Sequence, residues 1–273
     1  MQPTNHNWYR DASLAEKSQW YGRVSEAYDR TRPGYSQEFI DRIVEVTNIN
    51  SNSRILEIGC GPGTATKSLA TLNCSIVALE PNLETCQLAK QNCLNYPKVE
   101  LINTTFEEWK LPVDRFDVVV AATSFHWIDT DIVYQKTFEA LKDSGYLILL
   151  WNTPPQPNHD FYYKFLSEIY QIHTPELQGY ESTETNTKNI GMFGDNVINS
   201  KLFERLITEK SIDRVNYSVD DYLALLSTLS PYIALKPETR NNLFNDLKQR
   251  MQTCGKNLSL SYLSLLQIFQ KIS

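Results

Sequence analysis

Glu57-Ile58-Gly59-Cys60-Gly61-Pro62-Gly63-Thr64 follows the β-rich run Arg54 to Ile58 and opens a stretch of helical spacing, Thr64 to Leu72. Three glycines and a proline within five residues are more than a plain strand-to-helix turn needs. Glycine here permits positive φ and lets a ligand lie against bare backbone. Strand, glycine loop and helix in that order are the setting of a nucleotide-binding loop. The helix start beyond it offers unpaired N–H groups and a partial positive charge to an anionic group. A phosphate loop requires Gly-Lys-Ser/Thr, but Lys67-Ser68 follows Thr66. A dinucleotide fingerprint requires Gly-x-Gly-x-x-Gly, and Thr64 replaces its last glycine. Glu-x-Gly-x-Gly-x-Gly fits without a gap.

Working outward, strands and helices alternate. Cys74 to Leu79, Val99 to Ile102, Phe116 to Ala121 and Tyr146 to Trp151 read as further strands. Asn82 to Cys93 and Thr130 to Lys142 read as helices between them, with Ser144-Gly145 as a turn. Such alternation predicts a parallel α/β sheet with right-handed crossovers. Upstream, Leu14, Tyr21, Val24 and Tyr28 share one face of a helix over 11–29, which Arg32-Pro33-Gly34 ends before a second helix near 37–47. Downstream, 152–199 holds Pro154, Pro155, Pro157 and Pro175, the polar run Glu181 to Asn189 and an aromatic helix, Phe161 to Tyr170. It reads as a cap inserted over the sheet. A strand at 206–213, helices at 220–229 and 237–253, and a strand near 258–269 complete the chain. The expectation is a single domain over 1–273. It comprises an N-terminal helical cover (1–48), a cofactor-binding core (49–151), the cap (152–200) and C-terminal strands and helices (201–273).

The 273 residues are 41% hydrophobic, enough for a full core, and carry a formal net charge of −6. That balance argues against a nucleic-acid backbone or an anionic membrane surface as the main partner. No apolar run is long enough to span a bilayer, and Met1 to Arg10 is polar throughout. Cysteines 60, 74, 86, 93 and 254 form no C-x-x-C pair and, with four scattered histidines, fit no common metal site. Free thiols in a cytoplasmic protein without a metal are the expectation.

A second signal is Glu80, at the end of the second strand and 21 residues beyond Gly59. A carboxylate there can accept both hydroxyls of a ribose. The glycine loop, Glu80-Pro81-Asn82, Thr104-Thr105-Phe106-Glu107-Glu108-Trp109, and the run Phe116 to Trp127 ending in Ser124-Phe125-His126-Trp127 together resemble the seven-stranded (class I) S-adenosylmethionine-dependent methyltransferases. The "HW" after the fourth strand is similar to the small-molecule branch that includes trans-aconitate methyltransferases. Tyr28-x-x-x-Arg32-Pro33-Gly34-Tyr35 and Tyr222-Leu223-x-Leu225-Leu226-Ser227-Thr228-x-Ser230-x-Tyr232 resemble the same branch.

The resemblance implies a Rossmann-like sheet of order 3-2-1-4-5-7-6 with the last strand antiparallel. It implies that Glu57, Gly59, Cys60, Gly61 and Gly63 wrap the methionine part of S-adenosylmethionine and that Glu80 and Pro81 hold the ribose. The resemblance also implies that the Phe106 backbone N–H and apolar side chains beside it supply most of the adenine pocket, and it counts Ala122 among the cofactor-binding residues. Many relatives read the adenine amino group with an Asp after the third strand. Here Thr105 occupies that position, with Glu107 as a second candidate.

His126 follows the fourth strand, where a parallel sheet opens its ligand crevice. It is a candidate general base, or a pocket residue that orients the acceptor. Methyl transfer from a sulfonium is an in-line displacement of a ready leaving group, so alignment and desolvation can suffice. Trp8, Tyr9, Trp20, Tyr21, Tyr28 and Tyr35 make the N-terminal region aromatic. Tyr28 and Tyr35 are candidates for a lid over the site, and Arg32 is a candidate to meet the methionine carboxylate of the cofactor or an acidic acceptor. Tyr35, His126, Trp127 and Trp151 are candidates for a pocket that takes a small-molecule acceptor. A cofactor-binding protein without chemistry is the alternative.

Overall fold

Strands with near-continuous apolar runs, such as Phe116-Asp117-Val118-Val119-Val120-Ala121-Ala122, are buried on both faces, which is the condition of a parallel sheet covered by helices. The computed structural model describes residues 20, 22–113, 115–177, 179–255 and 257–272. Most of the helix expected over 11–29, with Trp8, Tyr9, Leu14 and Tyr21, lies outside the described residues.

Seven strands form one sheet in the order β3-β2-β1-β4-β5-β7-β6. They are β1 (Arg54–Ile58), β2 (Ser75–Leu79), β3 (Val99–Ile102), β4 (Phe116–Ala122), β5 (Leu141–Asn152), β6 (Phe203–Ser218) and β7 (Asn257–Lys271). β1 to β5 pair in parallel, and β7 runs antiparallel to β5, with Trp151 opposite Leu265. The predicted order and direction are therefore those observed.

The chain divides into two compact units. The larger comprises 33–153, 186–211 and 263–273; the smaller comprises 1–32, 154–185 and 212–262. In the larger unit, α2 (Gln37–Thr47), α3 (Thr64–Ala70), α4 (Leu83–Asn92) and α5 (Thr130–Ala140) alternate with the strands. Phe39, Ile40, Ile43 and Leu69 pack on Ile55, Val118, Ile148 and Leu150 on one face. On the other, Val133, Ala140 and Val197 pack on Leu56, Val119, Leu147 and Trp151. The smaller unit holds α1 (Ser25–Thr31), α6 (His159–Phe161), α7 (Ser167–His173), α9 (Val219–Ser227), α10 (Ser230–Ile233) and α11 (Pro237–Gln252). One π-helical stretch, Tyr162–Leu166, joins α6 to α7. Tyr162, Tyr170, Tyr222, Tyr232, Leu243 and Leu247 form its core, and the buried Tyr170 and Tyr232 hydroxyls share a hydrogen bond of 2.7 Å.

Three elements differ from expectation. Most of the polar run Glu181 to Asn189, for which no helix was expected, begins α8 (Thr183–Asn199), whose apolar residues Ile190, Phe193 and Val197 pack on the sheet core. β5 starts at Leu141, five residues early, because Leu141 pairs with Phe116 before the register shifts and Tyr146 pairs with Val118. Ser144 at φ 60° lies within that irregularity. β6 is longer than predicted at both ends, its exposed side chains alternating with half-buried ones.

Candidate functional site

The carboxyl ends of β1, β2, β4 and β5 lie at one edge of the sheet, where an open parallel sheet binds its ligands. After Ile58 the chain turns through Gly59, Gly61 and Gly63, at φ of 68°, 56° and 88°. The loop is held from outside. Cys60 N–H donates to the Leu79 carbonyl (2.9 Å), Gly63 N–H to the Cys60 carbonyl (3.0 Å), and Asn92 Nδ2 to the Pro62 carbonyl (2.8 Å).

The glycines have different reasons. A Cβ on Gly59 would lie 2.7 Å from Ser124 Cβ, whereas one on Gly61 would meet nothing within 4 Å. Gly59 is thus glycine for packing, and Gly61 faces open space. Ser124 fixes this approach because its hydroxyl donates to the Ile58 carbonyl. Gly59→Ala is therefore expected to destabilise the protein by ~1–3 kcal/mol through overpacking alone, with added strain from the positive φ. Calorimetric unfolding checks this, and an unchanged transition would contradict the contact.

Glu80 stands 19 residues after Gly61 and reaches back to it. Its Oε2 accepts the Gly61 N–H at 3.0 Å and its Oε1 the Asn82 N–H at 2.9 Å. Each carboxylate oxygen has a second lone pair for a further donor. Asn103, just beyond β3, fixes the backbone here by donating Nδ2 to the Glu80 and Pro81 carbonyls at 2.8 and 3.0 Å. Burial pushes the Glu80 carboxyl up to about 7, against the opposing pull of the two N–H donors.

Glu57 is wholly buried. Thr66 Oγ1 donates to its Oε2 at 2.6 Å, while Oε1 has no partner among the described residues. Burial drives its carboxyl up to about 8; the Thr66 bond opposes this and the Glu80 charge adds to it. Both acids have folded values above the ordinary 4.5. Their contribution to stability is therefore full below that value and is lost as pH rises through about 7 and 8. Because a pH unit of difference is ~1.4 kcal/mol, the effect is measurable. The expected outcome is that Glu57→Gln gains thermal stability relative to the wild type between pH 5 and 8.5. A difference that stays constant across this range would show that Glu57 is not held protonated.

Past β3, the Thr105 hydroxyl accepts the Glu108 N–H at 3.1 Å, so it caps the following turn. Phe106 is buried, Ala122 half-buried and Pro81 exposed. Glu107 Oε1 accepts the Asp129 N–H at 3.3 Å. After β4, Thr123 takes a left-handed conformation, φ 55°. It is bracketed by the Tyr35 hydroxyl at 2.9 Å and the Asn152 N–H at 3.3 Å, both on its Oγ1. Asn152 in turn donates Nδ2 to the Pro33 and Gly34 carbonyls and accepts from Ser264 Oγ.

His126, in a single 3₁₀ turn (Phe125–Trp127), is exposed. Its ring lies 4.4 Å from Trp127, 5.4 Å from Trp151 and 5.8 Å from Phe193, centroid to centroid. Trp151 is buried and stacks on Phe193 at 4.7 Å and 20°. The structure thus brings His126, Trp127 and Trp151 into one aromatic wall and adds Phe193 from α8. Tyr35 is tied to Thr123 at the neighbouring strand end.

Tyr28 and Arg32 belong to the smaller unit. The Arg32 guanidinium lies 4.8 Å from the Tyr28 ring centroid and donates to Thr228 Oγ1 (3.0 Å) and O (3.2 Å). The sequence likeness at Arg32 and at Thr228 therefore marks one local contact.

Asn92, Asn103 and Phe193 were not foreseen. The two asparagines lie outside any motif, and Phe193 sits in a helix that went unrecognised.

None of the five cysteines forms a disulfide among the described residues. No helix among the described residues is long and apolar enough to cross a membrane.

The methyltransferase domain family matches residues 55–145. An uncharacterized methyltransferase of Mycobacterium tuberculosis is 30% identical over 144 residues, 53% of this chain and 54% of that protein. An rRNA adenine N-6-methyltransferase of Limosilactobacillus reuteri is 27% identical over 114 residues, 42% of this chain and 46% of that protein. The chain spans about half the length of these curated relatives. The phosphoethanolamine N-methyltransferase 2 of Haemonchus contortus, solved in complex with S-adenosyl-L-methionine, shares the fold. It has a TM-score of 0.54 at 14% identity, over 96% of this chain and 60% of that one. Residues 55–145 thus match a methyltransferase domain, within a seven-stranded sheet of the order expected from the sequence.

Proposed function

We propose that the chain binds S-adenosylmethionine and transfers its methyl group to O, N or C of a small molecule. The observation that carries this reading is Gly61, which turns bare backbone toward open space while its N–H is fixed to the buried Glu80 carboxylate. The donor set fits the cofactor. Backbone from Gly59 to Gly63, with Glu57 and Cys60, holds the methionine part. Glu80 and Pro81 take the ribose. Thr105, Phe106 and Ala122 form the adenine pocket. When bound, S-adenosylmethionine supplies a methyl group on a sulfonium, which leaves as a neutral thioether.

The remaining work belongs to the protein. The aromatic wall of His126, Trp127 and Trp151 excludes water and aligns the acceptor, with Tyr35 at its edge. His126 accepts a proton where the attacking atom is a hydroxyl or amine; a carboxylate acceptor leaves it an orienting role. Such an apolar wall with few polar groups suits a small ligand, and a net charge of −6 disfavours RNA as acceptor. The enzyme acts in the cytoplasm.

Calorimetry with S-adenosylmethionine and S-adenosylhomocysteine tests the cofactor, and mass spectrometry of a metabolite mixture incubated with enzyme tests the transfer. Methylated small molecules and accumulating S-adenosylhomocysteine are expected. Binding without turnover would favour a non-catalytic role, and methylation of added ribosomal RNA alone would overturn the small acceptor.

A further inference from the structure

Trp151 closes β5 at the carboxyl edge of the sheet, and its residue is 3% exposed. Its indole Nε1 is buried with no hydrogen-bond partner among the described residues. Three of the other unpaired buried atoms are threonine hydroxyls, which can rotate their hydrogen toward a neighbour. An indole N–H is different: it is a donor only, its direction is fixed by the ring, and it usually finds a partner when buried. The ring is also held in place, stacked on Phe193 at 4.7 Å with the exposed His126 ring beside it at 5.4 Å. A rigid donor left unsatisfied, next to an exposed ring at the ligand edge of the sheet, is the arrangement of a binding group waiting for an acceptor atom.

We propose that Trp151 Nε1 is a specificity-determining donor that receives an uncharged carbonyl oxygen on a planar, apolar acceptor substrate. This rests on the methyltransferase reading above and names the substrate class of that same site. The planarity follows from the wall, in which four rings (His126, Trp127, Trp151 and Phe193) offer flat apolar faces. The lack of charge follows from the donor. One neutral N–H satisfies a carbonyl, whereas a carboxylate buried here would need a positive charge or several donors. Of the four rings only His126 can supply a charge, and only when protonated. Substrate entry beside the His126 ring replaces the missing hydrogen bond.

The probes are benzamide, benzoate and aniline, added to protein saturated with S-adenosylhomocysteine. In ¹H–¹⁵N spectra the Trp151 indole signal is the one lost in Trp151→Phe, a change that keeps an aromatic ring and removes the donor. Benzamide is expected to move that signal downfield, benzoate to move it less at pH 8, and aniline to leave it unmoved. Trp151→Phe should weaken benzamide at least about fivefold while S-adenosylhomocysteine binds as before. A Trp151 signal that benzamide does not move, or equal benzamide affinity in Trp151→Phe, overturns the proposal. Tighter binding of benzoate than of benzamide at pH 8 overturns the uncharged class. Failure of S-adenosylhomocysteine to bind the wild type would instead overturn the function on which the proposal rests.

Discussion

Gly61→Arg is expected to abolish calorimetric binding of S-adenosylmethionine and S-adenosylhomocysteine while the protein stays folded. The argument is one of space. A Cβ at this position meets nothing within 4 Å, so a larger side chain enters the opening in front of the loop and displaces no protein atoms. The backbone sits at φ 56°, where a non-glycine residue costs roughly 1–2 kcal/mol. That strain lowers the unfolding temperature modestly and leaves a cooperative transition. Gly61→Ala is the control, since it carries the same strain with a small side chain and keeps part of the affinity. Gly59→Ala behaves in the opposite way, damaging the fold first because Ser124 already occupies its space. Normal binding by Gly61→Arg would remove the loop from the cofactor site altogether.

The contrast between these two glycines marks what sequence could and could not deliver. The spacing of Gly59, Gly61 and Gly63 announced a ligand loop, and the strand-helix alternation announced the sheet around it. Both signals are local: periodicity and turn chemistry are written in adjacent residues. β1 and β3 were placed to the residue because apolar runs end abruptly at polar neighbours. The boundary of β5 was not, because the Ser144-Gly145 signal marks a bulge that only pairing with Phe116 makes visible. Helix α8 was missed because Glu181 to Asn189 is polar on the side that sequence sees first. Its apolar face, Ile190, Phe193 and Val197, begins only beyond that run.

The site shows the same division. Glu80 was legible because its distance from the loop is a property of the βαβ unit. The residues that hold it were not. Asn103 grips the backbone on either side of Glu80 and Pro81, and Asn92 pins Pro62, yet each is an ordinary asparagine in sequence. Such groups act by reaching across the fold to a carbonyl, so their role exists only once the chain is closed. Arg32 shows the reverse: its motif was visible, and the structure gives it a definite local partner in Thr228.

Glu80→Ala is expected to weaken S-adenosylhomocysteine binding at least about a hundredfold. Two losses combine. Hydrogen bonds to a charged group are worth about 1.5–3 kcal/mol each, and the ribose offers two hydroxyls to this carboxylate. The same change also orphans the Gly61 and Asn82 N–H groups, loosening the loop. Glu80→Gln does not rescue it, because an amide nitrogen would face one of those two N–H donors. A ligand without the 2′-hydroxyl separates the losses. The wild type should bind the 2′-deoxy analogue more weakly than the ribose form, and Glu80→Ala should bind both alike. The pH dependence has a defined sign. Burial holds the free carboxyl near 7, and the hydroxyls favour its charged form, so binding expels a proton and affinity falls as pH drops from 8 to 6. In Glu80→Ala that part of the slope disappears. Equal affinity of the wild type for the ribose and deoxyribose forms would take Glu80 away from the sugar and leave it only as the clasp of the glycine loop.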